Sequence, residues 1–241
     1  MSAAGTALVV SAHSADFVWR AGGAIALHAA RGMAVTVICL SYGERGESAK
    51  LWRLPGMTLD RVKTDRRKEA EAAAQVLGAA DIQFWDLGDY PLTLNQDSLF
   101  RLVDVYRALR PAFVLTHSHQ DIYNHDHPAT TEFTQHARIV AQAHGHNPSE
   151  KVLGAPPVFL FEPHQPEQCS WKPDMLLDIT PVWDKKRAAI ECMAGQEHLW
   201  EYYERVALQR GAQAARNSDK KAITYGEGYE AVFPHVIESL V

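Results

Sequence analysis

The chain has 241 residues, 46% of them hydrophobic, and a formal net charge of −5. That length permits a full hydrophobic core, the composition excludes a disordered chain, and the acidic balance argues against non-specific nucleic-acid binding, which needs a basic face. The three cysteines (Cys39, Cys169 and Cys192) are widely spaced with no CxxC pair, which excludes a zinc ribbon and suits buried thiols in a reducing compartment.

The first residues, "MSAAGTALVVSAH", lack a basic stretch followed by a long apolar one, so no signal peptide is expected. No run of 18 apolar residues occurs, so neither is a membrane span, and the expected location is cytoplasmic. "TALVVSAH" is an apolar run typical of a buried strand, and "FVWRAGGAIALHAARG" has helical spacing with a stop at Gly32. "AVTVICLSYG" is rich in β-branched residues and predicts a second strand. "LDRVKTDRRKEAEAAAQVLG" predicts a long helix ending at Gly78, and "IQFWDLGD" a third strand. "SLFRLVDVYRALR" predicts a helix stopped by Pro111, "AFVLTH" a fourth strand, and "PATTEFTQHARIVAQAHG" a helix with proline near its first turn. The second half is less regular. "PPVFLFEPHQPEQC" predicts a strand and a proline-rich loop, "DMLLDIT" another strand, and "VWDKKRAAIECMAGQ" and "LWEYYERVALQRGAQAA" two helices. The last segment, "AITYGEGYEAVFPHV", is expected to return to a sheet edge or to form a loop over the site.

The alternation of strand and helix implies an α/β fold, a Rossmann-like, mostly parallel sheet with helices on both faces, and one domain over residues 1–241. Ligands of such sheets bind beyond the carboxyl ends of the strands. Four strand ends are marked here, at His13–Asp16, Tyr42–Glu47, Asp86–Asp89 and His117–Asp121, and most carry clusters of histidine or carboxylate. The stretch "THSHQDIYNHDHPA" alone holds four histidines and two aspartates. Taken by itself it reads as a solvated, histidine-rich loop. A second cluster at another strand end favours a metal site. His13, Asp16 and His127 make an N/O/N set, and three protein ligands with an open position are the pattern of catalytic zinc. Asp126, Asp121 or His117 would orient those ligands from behind.

These residues carry a resemblance. "SAHSADF" followed by "GG" resembles the AHPDDE motif of the LmbE/PIG-L family of zinc-dependent N-acetylglucosaminyl deacetylases. "SYGERGE" resembles its TxGExG segment, "NHDH" its HPDH, and "KRAAIECMAGQ" its late K-x-x-A…S-Q helix. The resemblance implies a Rossmann-like fold and a Zn2+ ion held by His13, Asp16 and His127. Two departures stand out. The position of the deacetylase general base is Ala15, and the first histidine of HPDH is Asn124. Alanine cannot accept a proton, and losing a general base costs ~10²–10⁴-fold in rate. The longer segments "SAHSADFVWRAGGAIALHA", "CLSYGERGESAKLW", "DLGDYPL" and "APPVFLFEPHQPEQC" resemble a lyase branch of the same superfamily, the 4-oxalomesaconate (4-carboxy-2-hydroxymuconate) hydratases of the gallate and protocatechuate 4,5-cleavage pathways.

Hydrating a carbon–carbon double bond conjugated to a keto acid needs a base for water, an acid for carbon and an electrophile for the developing enolate. Glu47 is the preferred base, with Glu44 the other candidate in the same loop, and His164 is the acid candidate. The implied substrate is a small tricarboxylate, for which Arg20, Arg45, Lys50, Arg53 and Asn124 are candidate binding residues. The stripe around Trp200 and Tyr203 reads as packing. A zinc-dependent hydratase, working as a cytoplasmic homo-oligomer without nucleic-acid or membrane partners, is the leading reading. The alternatives are a deacetylase with its base relocated to a glutamate and a non-catalytic binding protein.

Overall fold

The computed structural model describes residues 5–234 and 236; the expectations for the first four residues and for His235 lie outside them. The strands are β1 (Thr6–Ser11), β2 (Ala34–Cys39), β3 (Asp81–Phe84), β4 (Phe113–Thr116), β5 (Val158–Phe161), β6 (Met175–Asp178) and β7 (Gly226–Ala231). The helices are α1 (Asp16–Ala30), α2 (Ala49–Trp52), α3 (Leu59–Leu77), α4 (Gln96–Leu109), α5 (Asp126–Gln142), α6 (Trp183–Glu191) and α7 (Trp200–Arg216), with 3-10 turns at Thr180–Val182 and Ala194–Leu199.

All seven strands join one sheet in the order β3-β2-β1-β4-β5-β7-β6. The first five run parallel, as expected, and β7 is antiparallel to both neighbours. Both faces are covered, so the central strands are apolar on both sides. Along β1, Ala7 and Val9 enter the core layer shared with α1, α3, α6 and α7, while Leu8 and Val10 enter the layer shared with α4 and α5. Period-two alternation therefore serves two cores rather than a core and a solvent face. Helix starts and stops follow local chemistry. Thr58 caps α3 through Arg61 N–H, Asn95 and Ser98 form a capping box on α4, and Gly78 ends α3 at φ 79°.

Two expectations need correction. "IQFWDLGD" gives a strand only as far as Phe84, because Asp86 and Gly88 take φ of 56° and 73° and turn the chain. The C-terminal segment is neither an edge nor a loop: β7 lies inside the sheet between β5 and β6. Its sequence, GEGYEA, has weak strand propensity, so tertiary bonds hold it. The buried Glu227 carboxylate accepts from Gly23 N–H (2.7 Å) and Ala24 N–H (2.8 Å) of α1, from Lys186 Nζ (2.7 Å) and from Tyr229 Oη (2.7 Å). A Cβ on Gly23 would stand 2.5 Å from Ile179 and 2.9 Å from that carboxylate, which explains the glycine there.

The chain leaves β1 in one direction for β2 and β3, then crosses back to β4 and β5. The order reverses between β1 and β4, and their carboxyl ends open the crevice where ligands of doubly wound sheets bind.

Candidate active site

His13 and Asp16 follow β1, with Asp16 in the first turn of α1; His117, Asp121 and His127 follow β4, with His127 in the first turn of α5. The loop after β2 brings Glu47 to the same point. It is pinned by Asp89, whose carboxylate accepts the Arg45 and Gly46 N–H groups at 2.9–3.0 Å. A Cβ on Gly46 would lie 2.0 Å from the Tyr90 ring, so any larger residue there would displace that ring.

His13, Asp16, Glu47 and His127 converge so that one ligating atom from each lies within 4.8 Å of all the others. His13 Nδ1 is 3.2 Å from both Asp16 Oδ2 and Glu47 Oε1, and His127 Nε2 is 3.5 Å from Asp16 Oδ1. Behind each imidazole stands a carboxylate. Asp126 Oδ2 is 3.2 Å from His13 Nε2, and Asp121 Oδ2 is 2.7 Å from His127 Nδ1. The back-side bonds fix which nitrogen of each ring faces the centre. His127 Nε2 is buried with no hydrogen-bond partner. A buried, orphaned nitrogen aimed at two carboxylates is the lone pair a cation would take. The residues therefore fit a divalent metal ion, with Glu47 adding an oxygen to the three ligands expected from sequence.

The charges agree. Burial disfavours the His13 cation, yet Glu47, Asp126 and Asp16 outweigh it and hold the His13 pKa well above the ordinary value. Burial likewise opposes ionisation of Asp16 and Glu47, and the neighbouring histidines outweigh it and keep both carboxylates below their usual range. Four carboxylates around two imidazoles leave surplus negative charge for a cation to neutralise. His117 does not join the ligands. Its Nε2 accepts from Ala12 N–H (2.9 Å), its ring stacks on His127 at 4.1 Å, and burial, then the His127 charge, push its pKa down to about 3.

Above this centre lies a cavity of about 240 Å³. Glu47, Asn124, Arg20, His164 and His127 all line it, so the structure unites the main residues expected from the segments after β1, β2, β4 and β5. Asn124 donates to Glu47 Oε1 at 3.2 Å. His164, half-buried against Tyr202 at 4.5 Å, is shifted below the ordinary histidine value by burial and then by the Arg20 charge, and so is neutral near pH 7. Arg20 is 7% exposed; its Nη1 donates to Glu162 O at 2.8 Å and its Nε lies 3.6 Å from Asp16.

Other expected residues stay outside the cavity. Glu44 is buried beneath the loop, where it accepts from Tyr42 N–H and faces Arg45 and Lys63, so it is removed as a base candidate. Arg45 pairs with Asp89 and Glu44, Lys50 pairs with Glu197 on the surface, and Arg53 is exposed; none of the three lines the cavity. Tyr203, expected only to pack, stacks on Trp19 at 5.1 Å and also forms part of the cavity wall. Tyr90, Tyr123, Gln196 and His198 line the cavity without having been expected. Tyr90 adjoins the marked Asp86–Asp89 strand end and was within reach of sequence reasoning. Gln196 closes the segment "KRAAIECMAGQ" that carries the late motif resemblance, whereas His198, in the same 3-10 turn before α7, has no such signal.

The chain is 65% identical over 238 residues to a 4-oxalmesaconate hydratase of Pseudomonas putida KT2440, covering 98% of this chain and 92% of that one. Its fold superposes with a TM-score of 0.95 on the crystal structure of the 4-carboxy-2-hydroxymuconate hydratase from the same organism, at 64% identity, with 98% and 100% of the two chains covered. The fold is shared with the N,N'-diacetylchitobiose deacetylase of Pyrococcus horikoshii, with a TM-score of 0.76 at 22% identity over 95% and 84% of the chains. Residues 8–138 match the family described as PIG-L, GlcNAc-PI de-N-acetylase, and with this match the chain belongs to the PIG-L family.

Proposed function

We propose that the cavity hydrates 4-carboxy-2-hydroxymuconate (4-oxalomesaconate) to 4-carboxy-4-hydroxy-2-oxoadipate, a hydro-lyase step of gallate and protocatechuate 4,5-cleavage catabolism. The observation that carries the reading is near full-length similarity to a hydratase, combined with a buried Ala15 where the deacetylase base would stand. The family is metal-dependent, and we take the ion to be zinc, held by His13, Asp16 and His127. When bound it would polarise substrate oxygens and lower the pKa of water.

The remaining chemistry falls to the chain. Glu47, ionised at neutral pH, accepts a proton from water as the hydroxyl adds to one alkene carbon. His164 delivers a proton to the adjacent carbon, which becomes the methylene. It needs a proton for this, and its neutral state traces in part to Arg20. A substrate carboxylate on Arg20 offsets that charge and moves His164 back towards protonation. Arg20 and Asn124 bind substrate oxygens in a cavity whose volume of about 240 Å³ suits a small tricarboxylate. Among the described residues, no helix is long and apolar enough to cross a membrane. We read the chain as one catalytic domain acting in the cytoplasm as a homo-oligomer.

The test follows loss of the conjugated dienol absorbance of the substrate, with an N-acetylated amino sugar as control. Dienol loss without acetate release is expected. Efficient acetate release would instead favour the deacetylase with a relocated base.

A further inference from the structure

Arg66 projects from α3 and is fully buried. Its Nη1 bonds Glu69 Oε2 at 2.7 Å and its Nη2 donates to Gln196 Oε1 at 2.6 Å. Glu69 also accepts Gly195 N–H at 2.8 Å. One ion pair on α3 therefore grips both the backbone before Gln196 and the side chain of Gln196. The backbone at Gln196 departs from helical geometry, with φ −129° and ψ 35°, inside the 3-10 turn before α7.

Arginine offers only donors, so the Gln196 atom facing Arg66 must be the amide oxygen. That fixes the amide the other way round for everything else. Its Nε2 carries two N–H donors, and among the described residues none of the hydrogen bonds formed takes them. Gln196 is only 6% exposed and lines the cavity above the metal-binding residues. The two donors therefore face the cavity in a fixed orientation, open to water or to a ligand oxygen, and a carboxylate that displaces that water can take both its place and its hydrogen bonds.

We infer that Gln196 is a substrate-binding residue that donates from Nε2 to a carboxylate oxygen of the substrate, and that Arg66 is a positioning residue that sets the orientation of its amide. The inference rests on the hydratase reading for the identity of the substrate, while its binding component stands on the donor geometry alone. Gln196 and Arg20 then supply donors to an anion from two elements, the turn before α7 and helix α1. Both line the same cavity, so a substrate with more than one carboxylate has a donor group from each.

The test uses the metal-loaded full chain and two variants. Gln196→Glu keeps an acceptor for Arg66 but removes both donors and adds a negative charge. Gln196→Met removes the donors without adding charge. In each, KM should rise by about tenfold or more with kcat within about threefold, since a hydrogen bond to a charged group is made before and during the chemical step alike. Calorimetric binding of propane-1,2,3-tricarboxylate, which needs no turnover, should weaken by a similar factor. Thermal melting and metal content identify any variant that has lost the fold, and the inference is then judged on the other. Unchanged KM and unchanged tricarboxylate affinity in a folded variant overturn the inference. So does a fall in kcat with KM and affinity intact, which would assign Gln196 to the scaffold of the site. Failure of the wild-type chain to consume the dienol would sink the hydratase reading, while the calorimetric result would still decide the role of Gln196.

Discussion

Replacing Glu47 with glutamine tests the chemistry most directly. The substitution exchanges one carboxylate oxygen for an amide nitrogen and leaves shape almost unchanged. Glu47 Oε1 takes a hydrogen bond from Asn124 Nδ2 at 3.2 Å and lies 3.2 Å from His13 Nδ1. A glutamine oxygen can keep the Asn124 bond, so the loop pinned by Asp89 and the cavity wall should stay in place. What disappears is the ability to accept a proton from water. Loss of a general base is worth ~10²–10⁴-fold, or about 2.7–5.4 kcal/mol of barrier. The decrease should appear in kcat, with KM changed little, because the proton moves only in the chemical step. Glu47 also stands among the groups that fit a cation, so the variant must be assayed at metal content equal to wild type. The assay is dienol loss at saturating substrate, with metal counted by elemental analysis. Near-normal turnover at equal metal loading would refute Glu47 as the base. Activity that returns fully on adding excess zinc would refute it too, because Glu47 would then act only through holding the ion.

Other perturbations test neighbouring parts of the site. Asp121→Asn removes the carboxylate charge 2.7 Å from His127 Nδ1 and should weaken metal affinity by ~10–100-fold, measured by competition with a chelator; unchanged affinity would count against the ligand role of His127. Arg20→Gln should raise KM by about tenfold or more through loss of a charge-assisted bond, and an unchanged KM would remove Arg20 from substrate binding. Asp126 sits below the ordinary carboxylate value: burial opposes ionisation, but His13 and the N–H groups of Tyr90 and Leu92 outweigh it. Its contribution to stability is therefore complete above the unfolded pKa of ~3.9 and is lost as pH falls through the lower folded value. Chelator-treated Asp126→Asn should accordingly show a shallower loss of stability than wild type below pH ~4, and parallel denaturation profiles would contradict this. Gly23→Ala should lower the melting temperature, since its Cβ would press on Ile179 and the Glu227 carboxylate, at a cost of ~1–3 kcal/mol; an unchanged melting temperature would show that this contact can relax.

Local chemistry in the sequence was sufficient for most of the strands and helices and for the cluster of His13, Asp16 and His127. Helix and strand periodicity is written in consecutive residues, and the strand β1 reads as buried because Ala7 to Val10 are apolar on both faces. His13, Asp16 and His127 were legible because a parallel sheet forces strand ends to one side, so clusters at separate strand ends had to meet. The placement of β7 was not legible. GEGYEA lacks strand propensity, and its position depends on Glu227 reaching backbone donors of α1 some 200 residues earlier in the chain. The choice between Glu44 and Glu47 was also beyond the sequence. The two share a loop, and only its folding, with Gly43 at φ 67° and Asp89 holding the Arg45 and Gly46 N–H groups, sends one carboxylate into the cavity and buries the other beneath Lys63 and Arg45. For the same reason charge alone misplaced Arg45, Lys50 and Arg53, whose side chains are committed elsewhere or exposed, and although Gln196 stands in the late motif segment, only tertiary packing against Arg66 orients its amide. Residue type fixes what a side chain can do, but its direction is decided by partners distant in the chain.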